Sequence, residues 1–516
     1  MRIFDTYVQK LKYKVLTELA RQTWVGNDAF SVFNDIANQV VKKGEPTMSC
    51  CIYKDRAIVA ERIRIALGGK KEDHNVIQVI DIACDECPVA GHVVTDLCRG
   101  CVAHACVDAC KLGAITVDSH QKAEIDKSKC VECGKCAKSC PYSAIANFKR
   151  PCEKACKVDA ISMAPDGVAQ IDSEKCIECG ACVYKCPFGA TLDVSSITDI
   201  IKTIVDSDNN KNYHVHAIVA PAIAGQFQYA KAGQLISAIR ELGFYAVEEV
   251  ALGADIVAYK EAQELQEKGF LTSSCCPAFV KYIKMKFPQL AEHISHNLSP
   301  MAETGKLIKE QDPDAKIVFI GPCTAKKGEV RKPEVHQYVD YVMTFEELQA
   351  MIDSKDIAVD QLPETELDTA TYYGRVFART GGLSEAVTEA VREQKAAAEA
   401  AKADAPDGAG TSGAVASGEA GTNSGKPASG DGTCDGDSAD SKPFVFDPIV
   451  CDGIDSCKTA LLRASKGLLP NNFIEGMVCT DGCIGGAACL SHGNADKRAI
   501  DNYGKKASHK EIRDVL

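Results

Sequence analysis

The chain has 516 residues, of which 71 are acidic and 59 basic, and its formal net charge is −12. This length is typical of two or three domains and allows a sizeable buried core. The composition argues against nucleic acid as a partner, because no basic surplus is available to neutralise phosphates. No run of about 18 apolar residues occurs, so we expect no membrane span.

The first 83 residues form a mixed region, predicted to contain two helices and then a strand at residues 75–80. The first helix has apolar residues on one side, without the unbroken apolar run of a signal peptide, and we therefore expect a cytoplasmic protein. These apolar residues are Ile3, Val8, Leu11, Val15 and Leu19. Cys50 and Cys51 are expected to be small buried apolar residues.

Twenty-seven cysteines are present, many at spacings too tight for a secreted disulfide scaffold. Clusters of this kind in a reducing compartment more often bind metal. Zinc is the nearest alternative, since it also uses Cys-x2-Cys pairs. Zinc ribbons, however, do not require the Cys-x2-Cys-x2-Cys-x3-Cys-Pro run that occurs twice in residues 84–195. That run is typical of bacterial ferredoxins and predicts a ferredoxin-like domain with 4Fe–4S clusters.

Residues 84–195 contain an internal repeat whose sixteen cysteines equal the number that four 4Fe–4S clusters need. In two-cluster ferredoxins the fourth cysteine of a run binds the other cluster, and this rule guides the pairing. The predicted sets are Cys110, Cys130, Cys133 and Cys136; Cys98, Cys101, Cys106 and Cys140; Cys156, Cys176, Cys179 and Cys182; and Cys84, Cys87, Cys152 and Cys186. Two clusters follow directly from the runs, and the set with Cys84 and Cys87 rests on the leftover cysteines. His104 could replace a thiolate, although a supporting or core role suits it better.

From residue 213 onward the pattern predicts an α/β domain, comprising residues 213–394 and 443–516. Residues 216–221 and 316–321 are short apolar runs that end at Pro or Gly, as buried strands do. Residues 395–442 consist largely of Ala, Gly, Ser, Asp and Lys and are predicted to be a disordered insertion. Cys434 lies in this insertion and is not expected to bind metal.

Three further segments, at residues 272–277, 321–327 and 477–483, each have the cysteine pattern of a metal-binding loop. In this order they resemble the three signature segments of the FeFe-hydrogenases. The resemblance implies a two-lobed α/β H-cluster domain, with strands flanked by helices, after an N-terminal α+β ferredoxin-like multi-cluster domain. It also implies an H-cluster: a 4Fe–4S cube joined to a diiron unit with CO, CN and azadithiolate. By position the cube ligands are Cys276, Cys323, Cys479 and Cys483, with Cys483 as the bridge.

The resemblance also implies roles for residues around the diiron unit. The Cys275 thiol would pass protons to the bridging amine, which is general acid–base work. Lys326 would donate a charge-assisted hydrogen bond to a cyanide, and Glu329 would fix that lysine. The backbone of Ala220, Pro221 and Ala222 would face the other cyanide, and Phe377 and Met477 would exclude water.

A proton path is implied by the same resemblance, in the order Glu264, Ser295, Glu261 and Cys275. Glu261 and Glu264 are three residues apart, which places them on one face of a helix. On the sequence pattern alone, the two glutamates could equally be a solvated helix face and Ser295 a helix cap.

The chain departs from the best-known members of the family at several positions. Gly321 stands in place of Met, Phe279 in place of Trp, and Asp481 in place of Gly between the last two ligands. Cys489 could be a spare thiol near the cluster. Cys451 and Cys457 are expected to be structural rather than redox-active.

The resemblance therefore predicts reversible conversion of two protons and two electrons to dihydrogen. The expected partners are a ferredoxin-type electron carrier and the hydrogenase maturation proteins. The sequence contains no Rossmann-like Gly-x-Gly-x-x-Gly motif, so direct use of NAD is not indicated. The alternatives are a hydrogen sensor, a non-catalytic iron–sulfur assembly paralogue, or a pure multi-cluster electron carrier, which would leave the three downstream segments unexplained.

Overall fold

The computed structural model describes residues 4–27, 31–44, 49, 51–70, 73–85, 87, 90–403 and 444–516. Cys50, Cys434 and most of the predicted insertion lie outside these residues. Residues 395–403 are described and continue a helix. Among the described residues no helix combines the length and apolar character needed to cross a membrane.

Three helices, rather than the predicted two, form most of the N-terminal region. They are α1 (Tyr7–Trp24), α2 (Phe33–Val40) and α3 (Ile52–Ala66). Thr6 caps α1 through a capping box with Gln9, an arrangement that satisfies backbone N–H groups at a helix start. Cys51 is exposed, so the prediction that it is buried was wrong; it stands just before α3, close to Tyr53, which is also exposed.

The ferredoxin-like part consists of short elements between cysteine loops. Its helices are α4 (Asp81–Cys84), α5 (Ala105–Asp108), α6 (Lys135–Ser139), α7 (Pro151–Ala155) and α8 (Ala181–Lys185). Its strands are β1 (Ile77–Val79), β2 (Gly91–Val94), β3 (Ile115–Val117), β4 (Ala123–Ile125), β5 (Ile145–Phe148), β6 (Ile161–Met163), β7 (Ala169–Ile171) and β8 (Thr191–Asp193). They pair as four antiparallel ribbons, β1 with β8, β2 with β5, β3 with β4, and β6 with β7.

The remaining chain forms two parallel sheets with helices packed around them. The strands are β9 (Val215–Val219), β10 (Ala246–Glu249), β11 (Leu271–Thr272), β12 (Lys316–Gly321), β13 (Tyr341–Thr344), β14 (Pro448–Asp452) and β15 (Phe473–Met477). One sheet has the order β10-β9-β12-β13 and the other the order β11-β15-β14. This matches the two-lobed α/β class expected. Strands β9 and β15 are buried throughout, as strands covered on both faces are.

In the described part of this region twelve α-helices accompany these strands. They are α9 (Ile197–Asp206), α10 (Ala232–Glu241), α11 (Val250–Lys268), α12 (Pro277–Lys286), α13 (Pro300–Gln311), α14 (Ala325–Glu329), α15 (Pro333–His336), α16 (Phe345–Ser354), α17 (Tyr372–Val376), α18 (Gly382–Ala403), α19 (Ile454–Ala464) and α20 (Asn494–Gly504).

The N-terminal helices share one hydrophobic core with the four-stranded sheet. Leu19 of α1 and Ile63 of α3 are fully buried in the same cluster as Val318 of β12. The predicted domain boundaries at residues 83, 195 and 213 therefore do not mark separate hydrophobic cores. The division into domains at these positions remains a proposal.

Candidate metal centre

The carboxyl ends of three parallel strands position the three downstream cysteine segments. Strands β11, β12 and β15 each end immediately before one segment, and loops at this edge are where α/β folds place ligands. Burial raises the pKa of Cys323 to about 11, and the neighbouring Cys276 adds to the effect. Burial likewise raises the pKa of Cys483 to about 12, with Cys323 and Cys276 nearby. Cys479 lies among the same thiols, so the structure brings all four predicted cube ligands together.

Lys326 adds a buried cation beside these thiols. Its Nζ is 2.6 Å from Oε2 of Glu329, and both side chains are almost fully buried. Neither atom has a partner with hydrogen-bond geometry among the described residues. Four thiols with one buried ammonium group form a donor set that fits a 4Fe–4S cube with an anionic ligand near Lys326, because thiolates bind iron and an ammonium paired with one carboxylate still has N–H groups to donate.

The thiol of Cys275 lies at the edge of this set. Burial raises its pKa well above the ordinary range, and the neighbouring Glu261 and Cys276 raise it further. A thiol with a raised pKa stays protonated at neutral pH unless a metal binds it. The four predicted cube ligands are buried in the same way, so the feature that distinguishes Cys275 is its position beside Glu261.

The predicted relay residues lie in contact with one another. Glu261 and Glu264 are on α11, and the Ser295 hydroxyl donates to Oε2 of Glu264 at 3.2 Å. Ser295 also lies beside Glu261, and burial raises the pKa of the Glu261 carboxyl to about 8. The backbone N–H of Ser274 donates to Oε1 of Glu261 at 3.4 Å, and Oε2 has no hydrogen-bond partner among the described residues.

Glu264 is the outer member of this chain. Its carboxylate accepts from Lys268 at 2.7 Å and lies 2.7 Å from Nδ1 of His296. Although its own partial burial acts in the opposite direction, these contacts lower its pKa. The two glutamates therefore differ in kind: at neutral pH the inner one holds a proton and the outer one is ionised. A solvated helix face would not give this difference.

The remaining predicted pocket residues lie at the same edge of the sheets. Ala220 directly follows β9, and its N–H donates to the carbonyl of Ile320 on β12 at 2.9 Å. Phe377 is buried in a core cluster against which Cys275 packs. The other predicted pocket residues are Pro221 and Ala222, which begin the turn after β9, and Met477, which ends β15.

The sequence also predicts that the glycine pair after the last ligand, Gly485 and Gly486, allows close approach of the backbone. A Cβ atom on Gly485 would lie 1.8 Å from the carbonyl oxygen of Thr480, and one on Gly486 would lie 2.4 Å from that of Pro322. These contacts leave no room for a side chain at either position. The glycines thus allow two protein segments to pack closely around Cys483.

The spare thiols are buried and make protein contacts. Cys489 donates to the carbonyl of Ile484 at 3.3 Å. Cys457 donates to the carbonyl of Met477 at 3.5 Å, and Cys451 hydrogen-bonds Cys457. All cysteines in the described ranges are free thiols.

The accessory thiols group in the structure as the sequence pairs them. Burial raises the pKa of Cys152 to about 11, and the thiols of Cys186, Cys84 and Cys87 are its neighbours. The neighbours of Cys106 include Cys140 and Cys101, those of Cys136 are Cys130 and Cys133, and those of Cys182 include Cys179, Cys176 and Cys156. His104 has a buried Nε2 without a partner among the described residues, and every predicted set has four thiols without it.

A fourfold local motif, which the sequence analysis missed, shapes these loops. Four cysteines are each followed four residues later by an alanine whose N–H donates to the sulfur at 3.2–3.4 Å. The residue before each alanine has a left-handed backbone, which turns the N–H toward the sulfur. Hydrogen bonds to cluster sulfurs raise reduction potentials. The pairs are Cys110 and Ala114, Cys140 and Ala144, Cys156 and Ala160, and Cys186 and Ala190.

One accessory set lies directly beside the downstream thiols. Cys179 has the Cys323 thiol among its neighbours, and the Thr324 hydroxyl donates to the carbonyl of Glu178 at 2.7 Å. A cavity of about 830 Å³ includes Cys179 and Cys479 in its wall. The ladder of accessory thiols therefore leads to the centre formed by the three strand-end loops.

Comparison with known proteins agrees with this geometry. Residues 213–487 match the family described as iron only hydrogenase large subunit, C-terminal domain, and residues 97–144 and 150–190 match the 4Fe–4S dicluster domain. The first match covers more than half of the chain. The chain belongs to the iron-only hydrogenase family, and its N-terminal part carries a 4Fe–4S dicluster module.

Individual relatives cover part of the chain. Iron hydrogenase 1 of Clostridium pasteurianum is 30% identical over 54% of this chain and 52% of its own length. The periplasmic [Fe] hydrogenase large subunit of Nitratidesulfovibrio vulgaris is 30% identical over 49% and 61%. The cytosolic Fe-S cluster assembly factor NAR1 of Kluyveromyces lactis is 37% identical over 18% and 20%. The chain thus spans between half and two thirds of the two hydrogenases. The solved [FeFe]-hydrogenase HydA1 of Chlamydomonas reinhardtii superposes with a TM-score of 0.46 at 19% identity, covering 62% of this chain and 92% of that one.

Proposed function

We propose that this protein is an FeFe-hydrogenase that interconverts dihydrogen with two protons and two electrons at an H-cluster. The observation that carries the proposal is the position of the Cys275 thiol, between the buried carboxyl of Glu261 and the four-thiol set. A protein that only held a cube would not need a protonated relay ending there.

When bound, the H-cluster supplies the metal chemistry of hydrogen, which belongs to the cofactor itself. The protein binds the cube through Cys276, Cys323, Cys479 and Cys483. The ammonium group of Lys326, paired with Glu329, would stabilise negative charge on the bound cofactor.

Proton delivery is the work of the chain's own side chains. Glu264 exchanges protons with solvent, the Ser295 hydroxyl joins it to Glu261, and Glu261 supplies the Cys275 thiol. The pKa of Glu261, about 8, suits such a relay, because a carrier works best near the operating pH.

Electrons would enter at the far end of the accessory ladder. Val102, directly after Cys101, is 97% exposed, and Leu97 and Val131 are also exposed beside predicted ligands. Apolar side chains around an accessible cluster suit brief contact with a ferredoxin-type electron carrier. Cysteines kept free for cluster binding suit a reducing compartment such as the cytoplasm, and the diiron unit would be inserted by maturation proteins.

The test is infrared spectroscopy on the full chain, loaded with 4Fe–4S clusters and then matured with a synthetic diiron cofactor. We expect carbonyl and cyanide bands together with hydrogen evolution. Cys483→Ser is the matched control, because it removes the proposed bridge, and it should lose both signals. Absence of the bands from wild-type protein with a full iron content would contradict the proposal and favour an assembly role like that named for NAR1.

A further inference from the structure

A second cluster of metal-binding side chains lies at the opposite edge of the four-stranded sheet. His214 precedes β9, His216 lies within it, and Asp312 follows α13 on the way into β12. One ligand atom from each of the three residues lies within 4.8 Å of the others. The group contains no sulfur and is separated from the cube-binding loops by the length of β9, about 16 Å at 3.3 Å per residue.

His216 is oriented as a metal-binding histidine. It is only 8% exposed, and its Nδ1 lies 2.8 Å from Oε1 of Glu248 on the neighbouring strand β10. An ionised carboxylate only accepts hydrogen bonds, so Nδ1 carries a hydrogen, and in the neutral imidazole Nε2 then offers its lone pair to a metal. Nε2 is buried and has no hydrogen-bond partner among the described residues. A carboxylate behind a histidine in this way is the usual support of a metal ligand.

Asp312 lies between the two imidazole rings. Its Oδ2 is 2.7 Å from Nδ1 of His214 and 3.9 Å from Nε2 of His216. The ring of Tyr245 stacks on His214, with centroids 3.8 Å apart, which fixes the orientation of that imidazole. Ligands about 2.1 Å from a tetrahedral zinc ion are about 3.4 Å apart, and the two observed distances bracket this value.

We propose that His214, His216 and Asp312 bind one Zn²⁺ ion, with Glu248 as the positioning residue for His216 and water in the fourth position. Two imidazoles and a carboxylate are a set that zinc accepts. The ion would join the end of α13 to the start of β9. This inference does not depend on hydrogenase activity.

The experiment uses anaerobic, cluster-loaded full-length protein, dialysed against Zn²⁺ and then against metal-free buffer. Zinc and iron are counted by mass spectrometry, and the zinc environment is read by X-ray absorption. We expect one zinc per chain with nitrogen and oxygen neighbours. His216→Ala and Asp312→Asn should lose it with iron content unchanged, and Glu248→Gln should weaken it about 10–100-fold.

His336→Ala is the matched control, because His336 is exposed and lies outside the group, and it should keep the zinc. Asp312 is partly exposed, so its variant should fold even if the buried His216 variant does not. Sulfur neighbours around the zinc, or equal zinc in wild type and Asp312→Asn, would overturn the proposal.

Discussion

At the scale of single residues, Cys275 and Glu261 carry the most specific expectation. Replacing Cys275 by Ala removes the last proton carrier while leaving the four cube ligands. Loss of a positioned acid–base group costs about 10²–10⁴-fold in rate. We expect the rate of hydrogen evolution to fall by at least about 10²-fold, with infrared bands and iron content retained. Full activity in the variant would contradict the relay.

Glu261 also predicts a pH dependence of stability. Its pKa is raised to about 8 in the fold, against about 4.3 for an unperturbed glutamate. The folding stability that Glu261 contributes is fully present below its unfolded pKa. It is lost as pH rises through its folded pKa, at about 1.4 kcal/mol for each pH unit between the two values. Glu261→Gln removes this dependence, so the melting temperature of the variant minus that of wild type should increase from pH 6 to pH 8.

Glu264→Gln is the control for that measurement. The pKa of Glu264 is lowered in the fold, so its contribution is present above the unfolded pKa and is lost only as pH falls through the folded one. The Glu264→Gln variant should therefore be less stable than wild type by the same amount throughout pH 6 to pH 8. If the two variants had melting curves with the same pH dependence, the assignment of an inner neutral and an outer ionised carboxyl would fail.

Some groups of residues could be predicted from the sequence and others could not. The accessory thiol sets were predicted from the spacing within the two runs, from the rule that the fourth cysteine binds the other cluster, and, for Cys84 and Cys87, from the cysteines left over. The group formed by His214, His216 and Asp312 was not predicted, because nearly a hundred residues separate the histidines from the aspartate. Only the adjacency of β9 and β12 in the sheet brings them together.

At the scale of elements, a buried ionic network joins α1, β8, α14 and α16. Asp193 of β8 contacts Lys12 at 2.5 Å and Lys327 at 2.7 Å, while Lys12 reaches Glu346 and Lys327 reaches Glu347. Burial would by itself lower the pKa of Lys12, but Asp193 and Glu346 hold it well above the ordinary value. The network fixes the helix that carries Lys326, one residue away from Lys327.

Breaking this network should destabilise the protein strongly. Lys12→Met leaves two buried carboxylates short of a partner, and removal of one member of a buried pair costs about 3–5 kcal/mol. Urea unfolding followed by circular dichroism measures the loss. Lys10→Met, on the exposed side of the same helix, should change stability by less than about 0.5 kcal/mol. Equal effects of the two variants would contradict a structural role for the network.

The elements themselves were predictable where periodicity is strong. Strand β12 spans Lys316–Gly321 as predicted, and α11 carries both relay glutamates. The network around Asp193 could not be predicted, because its lysines resemble ordinary surface residues of amphipathic helices. Their burial depends on how four distant elements pack.

At the scale of the whole molecule, the insertion begins and ends beside the same helix. Lys395 of α18 donates to the backbone carbonyl of Phe444 at 2.6 Å. The helix continues for eight residues to Ala403, about 12 Å at 1.5 Å per residue. Ala403 and Phe444, the described residues on either side of positions 404–443, are therefore only a short distance apart.

Replacing residues 404–443 with an eight-residue Gly–Ser linker should preserve the protein. Such a linker spans about 16 Å on average, enough to return from Ala403 to Phe444. We expect hydrogen evolution within about twofold of wild type and stability within about 0.5 kcal/mol, because the removed composition cannot bury apolar surface. Loss of iron or of activity would show that the insertion contributes to the site.

The contact between the loop at residues 176–180 and the downstream domain limits how this protein can be recombined with others. Glu178 accepts from Thr324 and pairs with Lys281 on α12, and Ile177 is buried in a cluster with Phe279. The innermost ferredoxin-like repeat is thus packed into the scaffold of the downstream metal centre. An exchange of the electron-entry module would have to leave this repeat, Cys84, Cys87 and the N-terminal helices in place, so only the segment of the outer cluster pair, between Cys87 and residue 150, could be replaced as a unit.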